Sequence, residues 1–436
     1  MKKFNDGRDW FFEKRFGLFV HWGPYCVGGL QEQEIKRYKT PWSEYVKYVD
    51  RFTAERFDPA DWLDMAQAAG MEYITFTTKH GDEFCMWDTQ ETRFNIMNSP
   101  YGKDILAELA AECHKRDFPL VLYYSNPHWN AMSYPDIDAP TPMADNFVLA
   151  PYVAFIKRQL RELCTNYGKI SGIWFDGSSK FEDPSINAMI RELQPTAVIN
   201  NRGFSPGDFS TPERAFLDHS GALPFATPTE ACNAVGWNSW GYREKEDYYS
   251  ARYFQGQMAM FMARGANYLL NLGPRPDGTF PPEAVAVLEG VGDWYCRVKS
   301  ALTAPPCPGA VDANQRFFSN PGDHDNDILL TGGGHELNLI MTRGTDVPTV
   351  IFPGLETMPE SATLLNTGEP LEVTTFTTGW MAEWRSTMTR LRGIPVEKLY
   401  GEVPVIRLTF KEPIIRAQIS ESVVCNATDE GQPADK

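Results

Sequence analysis

The sequence lacks the cysteine spacing of a disulfide scaffold or a zinc site. Its eight cysteines are spread over 436 residues, and no two of them form a Cys-x-x-Cys pair. Disulfide-dependent domains concentrate cysteines in short chains, and zinc sites need closely spaced ligands. We therefore expect buried free thiols in a protein that folds around a hydrophobic core.

Long apolar runs are also missing. No segment approaches the roughly 18 apolar residues of a membrane-spanning helix. The first residues, MKKFNDGRDWFFEKRF, contain no continuous apolar stretch of the kind found in signal peptides. The sequence as written predicts a cytoplasmic protein with no membrane partner, and a periplasmic or secreted protein is the alternative if an export signal has been removed.

Positive charge is in deficit, because 41 Lys and Arg residues stand against 57 Asp and Glu residues, a net charge of −16. Nucleic acids bind clustered cations, so this balance argues against a nucleic-acid partner. With 42% hydrophobic and 22% charged residues the composition is that of an ordinary globular protein. The length suffices for one large domain and a smaller one.

Strand-like runs alternate with helix-like segments through the first 300 residues, a pattern typical of a parallel sheet or barrel. Two weak runs, RAFLDHS and WNSWGY, raise the strand count to eight and predict a (β/α)8-like TIM barrel as a catalytic domain over residues 1–302. An open doubly wound sheet is the alternative, but HWGPYCVGG is not a Gly-rich phosphate loop. The six clear runs are FGLFVHWG, YITFTTKH, PLVLYYSN, ISGIWFDG, AVINNR and NYLLNLGP.

The pattern changes after the Pro-rich stretch ALTAPPCPGA. Short alternating runs such as ELNLIMT and VIRLTF follow without an amphipathic helix of normal length. They predict a C-terminal antiparallel β-sandwich over residues 303–420. The polar residues 421–436 are predicted to form a disordered tail.

Polar or aromatic side chains end the clear strand-like runs. In a parallel barrel these carboxyl ends converge on one face, where active sites are built. The side chains at these positions are His21, His80, Tyr123 with Tyr124, Asp176, Arg202 and Asn271.

Asp176 ends an apolar run that is suited to a buried strand, and Gly177 follows it. An Asp-Gly turn is the simple interpretation. However, Asp176 shares a strand face with Trp174, and aromatic rings commonly line sugar pockets. Glycosidases need a second carboxyl group. Candidates for it are Glu213 in DFSTPER, with Glu230 and Asp218 as alternatives.

Arg202, after two asparagines, is either a surface cation or a bidentate clamp on hydroxyls or a carboxylate. His21, His80 and His128 invite a metal interpretation. They are single and lie in three separate segments, whereas metal sites favour clustered ligands. Hydrogen bonding to sugar hydroxyls is therefore favoured, and no metal or cofactor is predicted.

In their order along the chain, the strand-like runs and polar segments quoted above resemble the α-L-fucosidases of glycoside hydrolase family 29, in the broad-specificity branch. The resemblance implies a retaining exo-glycosidase that releases terminal α-L-fucose, or a relative such as L-galactose, from an oligosaccharide or glycoconjugate without a cofactor. It makes Asp176 the nucleophile and Glu213 the acid/base. It also implies that the sugar is contacted, or the catalytic acids are positioned, by His21, His80, Tyr123, Trp174, Arg202 and Trp240. The resemblance rests on FEKRFGLFVHWGPYCV, KHGDEFCMW, YYSNPHW, GIWFDG, NNR, STPER, SWGY and NYLLNLGPRPDGTF.

Two departures from the family pattern affect the expected pocket. KHGDEF replaces the usual KHHDGF, so that Gly81 and Glu83 stand where histidine and glycine are usual, and Gln33 replaces the tryptophan of a Glu-Trp pair. We expect Glu83 or His128 to reach the space beside Gly81. A non-catalytic or very weakly active carbohydrate-binding protein on the same scaffold is the alternative, but the presence of both Asp176 and Glu213 favours an enzyme.

Overall fold

The computed structural model describes residues 2–126, 149–177, 182–215, 224–307, 328–353, 358–376 and 388–414. The predictions made for His128, Asp218 and the tail at 421–436 lie outside these residues. Seven cysteines fall within the described ranges; all are free thiols, and only Cys296 is exposed.

Parallel strands build the first sheet. The seven that the described residues contribute are β1 (Phe16–Val20), β2 (Tyr73–Lys79), β3 (Leu120–Ser125), β4 (Gly172–Asp176), β5 (Val198–Ile199), β6 (Glu230–Ala234) and β7 (Asn267–Leu272). Their spatial order is β5-β4-β3-β2-β1-β7-β6. Nearly every strand residue is buried, as expected for a parallel sheet covered by helices.

Helices follow most of these strands. In the described part of the chain they are α1 (Trp10–Glu13), α2 (Tyr25–Gly28), α3 (Glu34–Arg37), α4 (Trp42–Tyr45), α5 (Pro59–Ala68), α6 (Ile105–Lys115), α7 (Leu149–Thr165), α8 (Pro184–Leu193), α9 (Ala251–Met262) and α10 (Pro282–Leu302). Short 3-10 helices span Gly7–Asp9, Val46–Arg51, Ile96–Asn98 and Val396–Leu399. None of the helices described is long and apolar enough to cross a membrane.

Local sequence fixes where the longer helices begin. Asp58, Asp104 and Asp183 each accept a hydrogen bond from a backbone N–H in the first turn of α5, α6 and α8, and Ser250 does the same for α9. Such caps satisfy N–H groups that have no partner within the helix. Prolines at the first position of α5 and α8 reinforce these starts.

The parallel sheet is curled, and its inner face holds a separate aromatic core. Phe19 on β1 and Trp174 on β4 have ring centroids 5.3 Å apart. In a flat sheet three strand spacings would separate them by roughly 14 Å. Trp174 also donates a hydrogen bond to Glu230 on β6, although four strands lie between β4 and β6 in the sheet order. Alternate strand residues pack outward against the helices, including Leu18, Leu122 and Ile173.

The edges of the curled sheet are joined by an irregular segment, residues 208–214. Isolated parallel bridges connect Phe209 to Asn200 at the end of β5, and Glu213 to Cys232 on β6. The prediction that WNSWGY forms a strand is wrong, since residues 237–242 are bends and irregular loop. Most of RAFLDHS lies outside the described residues. The strand that sequence reasoning missed is β6.

Six antiparallel strands form the second sheet in the described residues: β8 (Ile328–Met341), β9 (Thr349–Pro353), β10 (Ser361–Leu364), β11 (Glu369–Phe376), β12 (Met388–Arg392) and β13 (Val405–Ile414). Their spatial order is β8-β13-β10-β11-β12-β9. β11 pairs with β10 through its first residues and with β12 through its last. The sheet has its own apolar cluster and is joined to α10 by Trp294, whose Nε1 donates to the Val403 carbonyl at 2.8 Å.

Candidate active site

A pocket opens to solvent at the carboxyl ends of the parallel strands. Its empty volume, counted together with the solvent at its mouth, is about 290 Å³. Its lining contains all eight residues that the sequence analysis selected, together with Phe19, Gln33 and Cys232. The eight selected residues are His21, His80, Tyr123, Trp174, Asp176, Arg202, Glu213 and Trp240. Six of them lie on strands β1 to β5 or just after them, Glu213 lies in the segment 208–214, and Trp240 lies in the loop after β6. The curl of the sheet brings them together.

Asp176 is the last residue of β4, and its carboxylate has two charged or polar partners. Tyr123 donates its hydroxyl to Oδ2 at 2.7 Å, and Arg202 Nη1 lies 3.0 Å from Oδ1. Burial alone raises the pKa of this carboxyl, but the Arg202 guanidinium and the Tyr123 hydroxyl outweigh burial and lower the pKa to about 2. Asp176 is therefore an ionised carboxylate at neutral pH.

Arg202 joins the two candidate catalytic carboxyl groups through one nitrogen. Nη1 lies 3.0 Å from Asp176 Oδ1 and 2.7 Å from Glu213 Oε2. The two oxygens are therefore at most 5.7 Å apart, the sum of these distances. Carboxyl groups of retaining glycosidases lie about 5–5.5 Å apart, and those of inverting enzymes roughly 6.5–9.5 Å. For these two oxygens the upper bound of 5.7 Å lies below the range of inverting pairs.

Thr211 fixes the Arg202 side chain from the other side. Its hydroxyl accepts from Nε at 2.7 Å, and its carbonyl accepts from Nη2 at 2.6 Å. The guanidinium carbon also lies 4.9 Å from the Trp174 ring centroid. Of the two interpretations offered from the sequence, the structure thus supports the clamp on carboxylates and not a surface cation.

Glu230, an alternative to Glu213, lies behind the pocket wall. It is 2% exposed and does not line the pocket. Tyr73 donates its hydroxyl to Oε2 at 2.5 Å, and Trp174 Nε1 donates to Oε1 at 2.9 Å. Burial raises the pKa of this carboxyl to about 7 despite these two hydrogen bonds. Glu230 supports the Trp174 wall, and Glu213 is the second carboxyl group within the pocket.

Two buried histidines form part of the pocket wall. His21 Nδ1 is 2.6 Å from Asn271 Oδ1, and Asn271 donates to the Trp240 carbonyl at 2.6 Å. His80 is stacked on Tyr123, with ring centroids 5.6 Å apart and planes inclined by 3°. Burial lowers the pKa of His21 to about 3 and also lowers the pKa of His80. Both imidazoles are neutral at pH 7, so they can donate and accept hydrogen bonds.

Glu32 shapes the pocket without lining it, a role that the sequence analysis missed. Its Oε2 accepts from the Ser239 hydroxyl and from the backbone N–H groups of Trp240 and Gly241, at 2.9, 2.9 and 3.2 Å. A buried carboxylate thereby holds the segment that places Trp240. The adjacent Gln33, one of the two departures from the family pattern, does line the pocket.

Of the two side chains expected to reach the space beside Gly81, His128 lies outside the described residues, and Glu83 does not enter the pocket. Its Oε2 instead pairs with Lys79 Nζ at 2.6 Å, and the side chains of Lys79 and Glu83 are only 0% and 4% exposed. A buried ammonium attracts a carboxylate more strongly than a partly open pocket does. Neither Gly81 nor Glu83 lines the pocket.

The sequence raised metal ligation as one interpretation of the histidines. Within the residues that the structure describes, no group of three or more His, Cys, Asp or Glu side chains could hold a metal ion.

Two carboxyl groups bridged by an arginine, in an aromatic-walled pocket at the carboxyl ends of parallel strands, define the site of a glycoside hydrolase. A family model described as α-L-fucosidase matches residues 2–299. The chain belongs to this α-L-fucosidase family, glycoside hydrolase family 29, which confirms the resemblance seen in the sequence. Assignment to the broad-specificity branch stays a prediction.

Individual relatives agree with the family. The chain is 29% identical over 318 residues to tissue α-L-fucosidase of Rattus norvegicus, which covers 65% of this chain and 67% of that protein. It is 28% identical over 388 residues to tissue α-L-fucosidase of Bos taurus, which covers 80% of each. Bacterial structures are similar over nearly the whole chain.

α-L-Fucosidase isoenzyme 1 from Paenibacillus thiaminolyticus is 28% identical, with a TM-score of 0.76 and coverage of 93% of this chain and 100% of that chain. A trapped covalent intermediate of an α-L-fucosidase from Bacteroides thetaiotaomicron, obtained with 2-fluoro-fucosyl fluoride and a Glu-to-Gln variant, is 26% identical. Its TM-score is 0.74, and the match covers 94% of this chain and 97% of that one.

Proposed function

We propose that this protein is a retaining exo-glycosidase that releases terminal α-L-fucose from oligosaccharides or glycoconjugates by double displacement. The observation that carries the proposal is the Arg202 nitrogen shared by Asp176 and Glu213, which holds one oxygen of each carboxyl group within 5.7 Å of the other, below the separation of inverting pairs. The covalent intermediate trapped in the Bacteroides relative supports a retaining mechanism, and its Glu-to-Gln variant supports a glutamate as the second catalytic group.

Asp176 is the nucleophile in this proposal. Its ionised carboxylate attacks the anomeric carbon as the bond to the leaving oxygen breaks, and Glu213 gives its proton to that oxygen. The product is a glycosyl ester of Asp176 and a free alcohol. Glu213, now a carboxylate, then takes a proton from water, whose oxygen displaces Asp176 and restores both carboxyl groups.

The pocket wall supplies recognition of the sugar. His21 has Nδ1 occupied by Asn271, which leaves Nε2 for a sugar hydroxyl. Trp174 and Trp240 offer aromatic surfaces beside the carboxylates. Removal of a hydrogen-bond donor from such a wall typically costs about 1–3 kcal/mol, so small differences between L-fucose and L-galactose can decide the preferred sugar.

The domain organisation is part of the proposal. We propose that the curled parallel sheet, together with residues 208–214 between its edges, forms a (β/α)8-like barrel over residues 1–302. The antiparallel sheet then belongs to a C-terminal β-sandwich over 303–420. Support comes from the separate apolar cluster of the second sheet and from the match to bacterial fucosidases across both parts.

The test replaces the nucleophile. Asp176→Ala should lower kcat by several orders of magnitude, and added azide should partly restore turnover by filling the space left by the carboxylate. The rescued product should be a glycosyl azide of inverted configuration. Glu230→Gln serves as the matched control, because azide should not accelerate it. Near-wild-type turnover of Asp176→Ala without azide would show that another group is the nucleophile.

The sugar is tested separately with a panel of aryl glycosides of L-fucose, L-galactose and other deoxy sugars. We expect the highest kcat/KM with the α-L-fucoside. A higher value with the L-galactoside would retain the mechanism and change the substrate.

A further inference from the structure

Trp237 follows β6, and its side chain is largely exposed to solvent. It is 58% exposed, whereas every other tryptophan in the described part of the chain is buried or half-buried. It belongs to the loop between β6 and α9, which leaves the carboxyl end of β6 where the pocket is built. A large aromatic ring left in water at such a place suggests a binding surface.

The Trp237 ring is held rigidly. Its backbone N–H donates to the Asp247 carbonyl at 2.8 Å, and its own carbonyl accepts from Arg214 Nη1 at 2.8 Å. One face of the indole stacks on Tyr249, with centroids 5.1 Å apart, and Tyr249 stacks on Tyr253 at 4.3 Å. Because the ring is already ordered, a ligand that stacks on it loses little binding energy to side-chain ordering.

Arg214 connects Trp237 to the catalytic pocket. It follows Glu213 in sequence, and its guanidinium carbon lies 5.2 Å from the centroid of Trp240, which lines the pocket. These contacts link the loop that carries Trp237 to the segment that carries Glu213, the residue proposed above to protonate the departing oxygen. The group attached to that oxygen is the sugar from which fucose is released.

We propose that Trp237 is the platform of a leaving-group subsite, on which the apolar face of a neutral pyranose stacks. The inference rests on the fucosidase function proposed above. The loop carries nearly balanced charge, with Arg243 and Lys245 against Glu244, Glu246 and Asp247. This balance favours a neutral sugar over a sialylated or sulfated one.

Kinetics with and without a leaving sugar test the subsite. The substrates are α-L-fucosyl fluoride, which has no leaving sugar, and fucosylated lactoses of different linkage. Trp237→Ala should lower kcat/KM for the best fucosyl-lactose by roughly ten-fold, and hydrolysis of the fluoride should change less than two-fold. Trp237→Phe should keep most of the activity because it retains an aromatic face. Tyr400→Ala, which removes a 73% exposed aromatic from the C-terminal part, is the matched control.

Binding of lactose alone, measured by calorimetry, makes the test independent of turnover. We expect weak binding to the wild type, loss in Trp237→Ala and retention in Trp237→Phe. Equal losses on the fluoride and the fucosyl-lactose would mean that Trp237 only supports the pocket, and this would overturn the subsite. Unchanged fucosyl-lactose kinetics or unchanged lactose binding in Trp237→Ala would overturn it as well. A wild type that hydrolyses neither substrate would refute the fucosidase proposal, whereas the lactose measurement would still decide the subsite.

Discussion

Replacing Glu230 with glutamine is expected to stabilise the folded protein at alkaline pH and to leave hydrolysis largely intact. Glu230 is 2% exposed and accepts hydrogen bonds from Tyr73 and Trp174, but no cation faces it in these contacts. Glutamine has nearly the same shape and no charge. Its carbonyl can accept from the Trp174 indole, and its amide can donate to the Tyr73 hydroxyl.

The magnitude follows from the pKa of Glu230, which burial raises from 4.5 to about 7. Since one pKa unit corresponds to about 1.36 kcal/mol, ionised Glu230 makes the folded state about 3 kcal/mol less stable relative to the unfolded chain. The sign is that of a raised folded-state pKa. The stability that protonated Glu230 contributes to the folded state is complete below pH 4.5 and is lost as the pH rises through about 7. Glutamine removes this loss.

Urea unfolding of the wild type and Glu230→Gln at pH 5 and pH 8 measures the effect. The free energy of unfolding of the variant, relative to wild type, should be higher at pH 8 than at pH 5 by about 2–3 kcal/mol. Its kcat/KM for α-L-fucosyl fluoride should fall less than ten-fold. Glu213→Gln is the matched control, because it makes the same chemical change within the pocket, and we expect it to lose at least 100-fold on a fucoside with a poor leaving group.

Two results would refute this reasoning. A stability difference that is the same at both pH values would mean that Glu230 does not titrate in the folded state between pH 5 and 8. Loss of activity in Glu230→Gln with retention in Glu213→Gln would mean that the acid/base assignment is reversed.

Further predictions concern Arg202 between its two carboxyl groups and the buried ion pair of Lys79 and Glu83. In Arg202→Met the pKa of Asp176 should rise because the guanidinium that lowers it is gone, so the acid limb of the kcat/KM profile should move to higher pH. Activity at pH 7 should fall at least 100-fold, and Arg202→Lys should restore little of it because lysine cannot reproduce the bonds to both carboxyl groups and Thr211; an unmoved acid limb would contradict the role. Lys79→Met should destabilise the protein by about 3–5 kcal/mol in urea because Glu83 is left as an unpaired buried charge. The double variant Lys79→Met with Glu83→Leu should recover most of that loss, and a single variant within 1 kcal/mol of wild type would show that the pair is not needed.

The sequence predicted most of the parallel sheet because strands buried on both faces appear as continuous apolar runs. The sequence did not predict strand β6, because its buried residues Glu230 and Asn233 are polar and break the apolar pattern. The segment 208–214 was not predicted as a strand because it pairs only through isolated bridges, contains Pro212 and has Pro206 just before it. Strand pairing of this kind depends on the edges of the completed sheet.

The candidate site was accessible to sequence reasoning because strand exits gather on one face. All eight selected residues line one pocket, while their individual roles stay predictions. The contacts of buried side chains around the pocket could not be predicted in the same way. Glu32 binds a segment more than 200 residues away, and Glu83 turns to Lys79 instead of the pocket. Neither partner choice is encoded in local spacing, since each depends on which charges the fold buries together.

In the proposed mechanism Asp176 forms the covalent bond to the sugar, and trapping that bond is the decisive experiment. Incubation with 2-fluoro-fucosyl fluoride, followed by proteolysis and mass spectrometry, should show one 2-fluoro-fucosyl adduct on the peptide that contains Asp176, with loss of the anomeric fluoride. The adduct should be absent from Asp176→Ala. A label on Glu213 or Glu230, or turnover of α-L-fucosides to the inverted sugar without any adduct, would contradict the account.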